Sequence, residues 1–117
     1  MDIIQIDAHL DWIDEVDGIR YANGSPMRRS MELDFTKNMV QLGIRDIRSR
    51  ENDYNFAKSQ GSQIFTRQDI RQQGVDEIFK KLSPLGDVYV SIDIDGLDPS
   101  IAPGTGSPTV DGLLYYE

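Results

Sequence analysis

Asp87-Val88-Tyr89-Val90-Ser91-Ile92-Asp93 decides the fold, because it is β-branched or aromatic at all but one inner position and bounded by aspartate at both ends. It predicts a strand over 87–93. Working toward the N-terminus, Val75, Ile78, Phe79 and Leu82 sit at helical spacing, with Gly74 interrupting any helix that starts nearer Arg67 and Pro84 stopping it. Gln63–Thr66 predicts another short strand, 51–60 a polar helix closed by Gly61, and Val40–Ile47 a further strand. Ser25-Pro26 places an N-cap residue before a proline at the first helical position. From there Met27, Met31, Phe35 and Met39 recur every fourth residue, with Leu33 beside them, so this stripe is expected to be core. Ile3, Ile4 and Ile6 make residues 1–6 a buried strand. Four strands alternating with three helices imply right-handed crossovers and a parallel sheet covered on both faces, hence an α/β architecture. Residues 96–112, rich in Gly, Pro and Ser, read as a long loop of the kind that often carries function.

The 117 residues make one small domain, and the balance of 12 basic against 20 acidic residues gives a net charge of −8. That sign argues against a nucleic-acid partner, which demands clustered Lys and Arg. With no cysteine, a disulfide framework, a thiolate metal site and a cysteine nucleophile are excluded. No apolar run reaches the roughly 18 residues of a membrane helix, and the N-terminus lacks the basic segment of a signal peptide, so no membrane role and a cytoplasmic setting are expected.

Chemistry concentrates where two strands end. Asp7, His9 and Asp11 follow the first strand at i, i+2 and i+4, which in an extended segment project from one side. Asp93 and Asp95 follow the fourth, with Asp98 just beyond. In a parallel α/β sheet both sets fall on the carboxyl edge, where ligands bind. Carboxylates crowded there repel one another and raise their own pKa values unless a cation sits among them. Oxygen-rich ligation with one imidazole suits a hard or borderline divalent ion such as Mn2+, with Co2+ or Ni2+ as alternatives, and five ligands suit two ions sharing carboxylates. Singly, each cluster is a common strand terminator; the pair together points to a binuclear site. Trp12 reads as packing, and Gly104-Thr105-Gly106 as turn chemistry.

Ile6-Asp7-Ala8-His9-Leu10-Asp11, Ser91-Ile92-Asp93-Ile94-Asp95-Gly96-Leu97-Asp98-Pro99 and Ala102-Pro103-Gly104-Thr105-Gly106-Ser107-Pro108 resemble the signatures of the ureohydrolases, the arginase and agmatinase family. The deacetylases share metal-binding Asp-x-His logic, but the pairing of both motifs points away from them. The resemblance covers the whole chain as the middle of a longer one. It implies a three-layer α/β/α fold with a mostly parallel sheet, truncated here to a partial domain over residues 1–117. It also implies a binuclear manganese site whose bridging hydroxide attacks a guanidinium carbon, releasing urea and an amine. By similarity Asp7 and Asp93 would bridge both metals, Asp11 would complete the first, and His9 with Asp95 would hold the second. The substrate would be a small linear guanidino or amidino compound, and homo-oligomers would be expected.

Four features depart from the family pattern. The family takes a further metal-binding His from an upstream strand and a substrate-pairing Glu from beyond the glycine-rich loop, whereas this chain has a single His and ends soon after that loop. Activity of these residues alone is therefore expected to be impaired. Asn23 stands where arginase-like members place a proton-shuttling His; unable to titrate near neutrality, it is expected to bind a substrate head group. Asp111 stands where Gly is usual. A different class of reading is a non-catalytic cation-binding or interaction domain that keeps the fold.

Overall fold

The computed structural model describes residues 1–46 and 48–117. Its elements in chain order are β1 (Asp2–Ile6), α1 (Pro26–Met31), β2 (Met39–Ile44), α2 (Glu51–Ser59), β3 (Gln63–Thr66), α3 (Arg67–Gln73), α4 (Val75–Lys81) and β4 (Val88–Ile92), followed by a 3-10 turn at Ile94–Gly96. The four strands form one parallel sheet in the order β3-β2-β1-β4. β1 is therefore central, with β2 on one side and β4 on the other.

Alternation along the central strands sends successive residues into different layers. Ile3 joins Leu10, Trp12, Met27, Met39 and Ala57 under α1 and α2, while Ile4 joins Val40, Leu42, Ile70, Ile78 and Leu113 under α3 and α4. This is the expected three-layer α/β/α arrangement. A bulge shifts the β2–β3 register between Leu42 and Ile44, and Gly43, at φ +92°, supplies the backbone conformation it requires.

Several expectations change in detail. The helix that starts at Pro26 stops at Met31, so the methionine stripe divides: Met27 is buried in α1, Met39 is the first residue of β2, and Leu33 and Phe35 are exposed. The cause is pairing, because Met39 lies opposite Ile3 in the ladder and cannot also be helical. Gly74, at φ +81°, divides 67–81 into α3 and α4, which makes four helices among the described residues rather than three. The second strand runs 39–44 rather than 40–47, and Ile47 lies outside the described residues. Nor is the sheet covered throughout: β4 is an edge strand, with Val88, Tyr89, Val90 and Ile92 all exposed.

Candidate metal centre

The motif after β1 and the motif after β4 emerge side by side because their strands are paired up to Ile6 opposite Ile92. The Asp93 amide donates to the Ile6 carbonyl at 2.9 Å, which carries the ladder one step past the strands. Beyond it the chain folds into the 3-10 turn, whose start is fixed by Asp93 accepting the Asp95 amide at 3.1 Å. Gly96 lets this turn lie against β1: a Cβ there would come within 3.0 Å of the Asp7 nitrogen. The buried Asp95 carboxylate is thereby placed beside the end of β1, where its Oδ1 accepts the Ala8 amide at 3.3 Å.

Asp7, His9 and Asp95 each offer a ligand atom, and these atoms lie within 4.8 Å of one another. His9 Nδ1 stands 3.3 Å from Asp7 Oδ1 and 3.2 Å from Asp95 Oδ2. Its Nε2 faces away, 3.3 Å from Asp46 Oδ2 and in contact with the Arg48 guanidinium. A carboxylate behind the second ring nitrogen is the usual way an imidazole ligand is oriented. Asp11 and Asp93 fall outside this tight group, yet both line the same cavity of about 220 Å3 as Asp7, His9, Asp95 and Asn23. Asp11 holds a left-handed backbone, φ +58°, and its carbonyl accepts the Met27 amide at the start of α1. Asp93 is exposed.

The electrostatics are strained as the crowding argument anticipates. Burial, then repulsion from Asp95 and Asp93, pushes the Asp7 carboxyl up to about 6 despite the hydrogen bond it accepts from the His9 amide. Asp11 is pushed up to about 7 by burial, then by Asp7, Asp93 and Asp95. Among the described residues no Lys or Arg forms an ion pair with any of the four, since Arg48 pairs with Asp46 and Arg45 turns to carbonyls. Carboxylate oxygens and one imidazole nitrogen, with no cationic side chain paired to those carboxylates among the described residues, are a donor set that fits hard or borderline divalent ions.

Other site features escaped the sequence reading. Arg45 reaches the carbonyls of Gly43, Asp95, Gly96, Thr109 and Val110, which ties the end of β2 to the 3-10 turn and the glycine-rich loop. Asp46 is held well below the usual carboxylate range, chiefly by the Arg48 side chain. Both follow β2, so the strand-end rule that selected Asp7 and Asp93 also reaches them. Asp53 lines the cavity, with Oδ2 buried and unbonded, and carried no such signal. Trp12 packs as expected but also donates a hydrogen bond. Asp111 adopts φ +63°, the left-handed conformation that explains why glycine suits its place.

Fold, strand-end carboxylates, one imidazole and loop thus form a candidate metal centre on a three-layer sheet, and comparison with known proteins gives the family. The model described as Arginase family matches residues 1–117, and the chain belongs to that family. It is 33% identical to guanidinobutyrase of Pseudomonas aeruginosa over 98% of this chain and 38% of that protein. It is 35% identical to the mitochondrial agmatinase of Gallus gallus over 95% of this chain and 34% of that one. The crystal structure of formimidoylglutamase from Bacillus subtilis superposes with a TM-score of 0.84 at 32% identity, covering 96% of this chain and 37% of the other. The chain therefore spans little more than a third of the length of these relatives. Among the described residues no helix is long and apolar enough to cross a membrane.

Proposed function

We propose that this chain carries the metal-binding portion of a ureohydrolase, which hydrolyses a C–N bond of a small linear guanidino or amidino substrate to release urea. The observation that carries the reading is the single cavity shared by Asp7, His9, Asp11, Asp93 and Asp95, selected from sequence on two distant motifs, and by Asn23 from the loop after the first. In it, Asp7, His9, Asp11, Asp93 and Asp95 are the metal ligands. These residues would hold two divalent cations, manganese first, with cobalt or nickel as alternatives, which would supply Lewis acidity to activate water near neutral pH and to stabilise developing negative charge.

The protein's own part is positional. The His9 amide donates to Asp7 Oδ1 at 2.6 Å, and the ring turns Nδ1 toward Asp7 and Asp95 with Nε2 lying against Asp46 and Arg48, so Nδ1 is the nitrogen placed to ligate. Arg45 pins the 3-10 turn and with it Asp95. Asn23, exposed on the cavity wall, offers an amide that hydrogen-bonds a substrate head group without exchanging a proton. The relatives' names span guanidinobutyrate-type and agmatine-type substrates, so we assign the class and not the individual compound.

His9 is the single His of the 117 residues, so it is the one imidazole these residues bring to the proposed centre. Calorimetric titration with Mn2+ tests the reading apart from turnover. Two sites are expected, with the higher-affinity one lost in His9→Ala; a single weak site, or none, would favour a non-catalytic domain. Urea assays with agmatine, 4-guanidinobutyrate and arginine then rank the substrates, and brisk release from the isolated chain would overturn the expected impairment.

A further inference from the structure

We infer that Gln5 and Gln41, with Trp12 at the far end, form a one-way amide relay that holds the Asp7 carboxylate in the orientation a divalent cation needs. The inference rests on the metal-centre reading above. Gln5 and Gln41 are cross-strand partners on β1 and β2, and both are fully buried in the layer under α1 and α2, a place where two apolar residues would suit the core better. Each nevertheless finds partners. Gln5 Nε2 donates to Asp7 Oδ2 at 2.7 Å, and Gln41 Nε2 donates both to Gln5 Oε1 and to the Leu10 carbonyl, the latter at 2.8 Å. Gln41 Oε1 accepts Trp12 Nε1 at 3.0 Å and Ser62 Oγ at 2.9 Å.

The direction of this chain is dictated from its ends. An amide taken alone could point either way, because its oxygen and nitrogen occupy similar volumes. An indole nitrogen, however, only donates, and a backbone carbonyl only accepts. Trp12 and Leu10 therefore force Gln41 to turn its oxygen toward the indole and its NH2 toward Gln5. Gln5 must then present its oxygen to Gln41 and its NH2 to Asp7. Reversed, it would set a carbonyl oxygen against a carboxylate oxygen. With the His9 amide on Oδ1, each Asp7 oxygen receives one donor, which leaves the carboxylate rotationally fixed and its remaining lone pairs free. Trp12 thus acts on the site through two intermediate side chains, as a positioning residue rather than a catalytic one.

The test separates the relay from the metal. In the metal-free chain, Trp12→Phe keeps an aromatic ring packed on Phe56 but deletes the indole donor. NMR of the Gln5 side-chain NH2 should then show a displaced resonance and solvent exchange faster by about tenfold, in a chain that still melts cooperatively at a lower temperature because the smaller ring leaves part of the indole's buried space unfilled. An unmoved Gln5 signal would overturn the relay. In parallel, Mn2+ affinity measured by calorimetry should fall about tenfold to a hundredfold in Gln5→Met and less in Trp12→Phe, the range seen when an outer partner of a metal ligand is removed. Affinity equal to wild type in both variants would overturn the assignment. Should Gln5→Met fail to fold, Trp12→Phe decides it. Should wild type bind no Mn2+, the metal-centre reading and the cation-orienting role fail together, while the NMR result still judges the relay.

Discussion

β1 and β4 lie side by side and run the same way, yet they live in different surroundings. On β1, Ile3 and Ile4 are 3% and 8% exposed; on β4, Val90 and Ile92 are 51% and 63% exposed. β4 has the stronger intrinsic preference for extended backbone, and β1 the stronger burial. Propensity reports what a segment becomes, whereas its place in the sheet depends on what packs on either face. The same contrast reaches the tips of the two strands: Asp7 is buried and tightly bonded, while Asp93, one rung along, is exposed.

The sharpest way to break this comparison is to remove equivalent apolar groups from the two strands. Ile4→Ala should cost about 2–5 kcal/mol in urea unfolding of the metal-free chain, because a cavity opens between β1 and the α3–α4 layer. Val90→Ala should cost less than about 1 kcal/mol, since an exposed side chain surrenders little buried surface. Equal costs would mean that β4 is covered in solution. An unpaired, apolar edge of this kind invites strand addition, and sedimentation velocity would then reveal self-association.

The second contrast concerns the tips. Asp7→Asn should weaken Mn2+ binding by about a hundredfold or more, and Asp93→Asn by about tenfold, because water can replace an exposed ligand oxygen but not a buried one. In the absence of metal the contrast shrinks for stability. Asp7→Asn should move the melting temperature little, because relief of a buried charge beside Asp95 is offset by an NH2 set against the Gln5 or the His9 donor, and Asp93→Asn should leave it nearly unchanged. Equal losses of affinity would show that the two carboxylates become equivalent once a cation is present.

pH sharpens the same point at smaller amplitude. Asp7 and Asp11 are raised, to about 6 and about 7, so the folded metal-free chain keeps protons that the unfolded chain has released above about pH 4. Their contribution therefore falls as pH rises from about 4 to 7, by on the order of 2 kcal/mol once solvent screening at the open cavity is allowed for. Asp98, held down to about 2 by Ser100 and Gly112, and Asp46, held below the usual carboxylate range by Arg48, act in the opposite sense. Their stabilisation is present above pH 4 and disappears as pH drops through their folded values. A metal-free melting maximum near pH 4–5 is expected, and saturating Mn2+ should move it above pH 7. A metal-free maximum already above pH 7 would contradict the buried-charge account.

Most of the fold was legible because its signals are local. Ser25-Pro26 starts α1, Gln63–Thr66 is β3 to the residue, and Gly74 separates α3 from α4. What escaped was set by long-range pairing: the early end of α1, required by Met39 opposite Ile3, and the edge position of β4. The centre divides the same way. Asp7, His9 and Asp95 sit on short motifs whose spacing announces them, whereas Arg45, Gln5 and Gln41 gain their roles only when β1, β2 and the glycine-rich loop are brought together. A glutamine amid isoleucines offers no periodic signal; only its buried partners identify it.

The smallest effect should come from Asn23, beyond the tip of β1 and outside the ligand group. It is exposed, and no carboxylate depends on it, so Asn23→Ala should leave Mn2+ affinity within about twofold of wild type. Binding of 4-guanidinobutyrate or agmatine to the Mn2+-loaded chain should weaken by about threefold to tenfold, the worth of one hydrogen bond to a ligand head group. Asn23→Asp extends the comparison, because a carboxylate there should favour agmatine, with its second cationic group, over 4-guanidinobutyrate, whose far end is anionic. Identical ratios in Asn23→Asp and wild type would place the head group elsewhere on the wall, with Asp53 and Arg48 as the next side chains to vary.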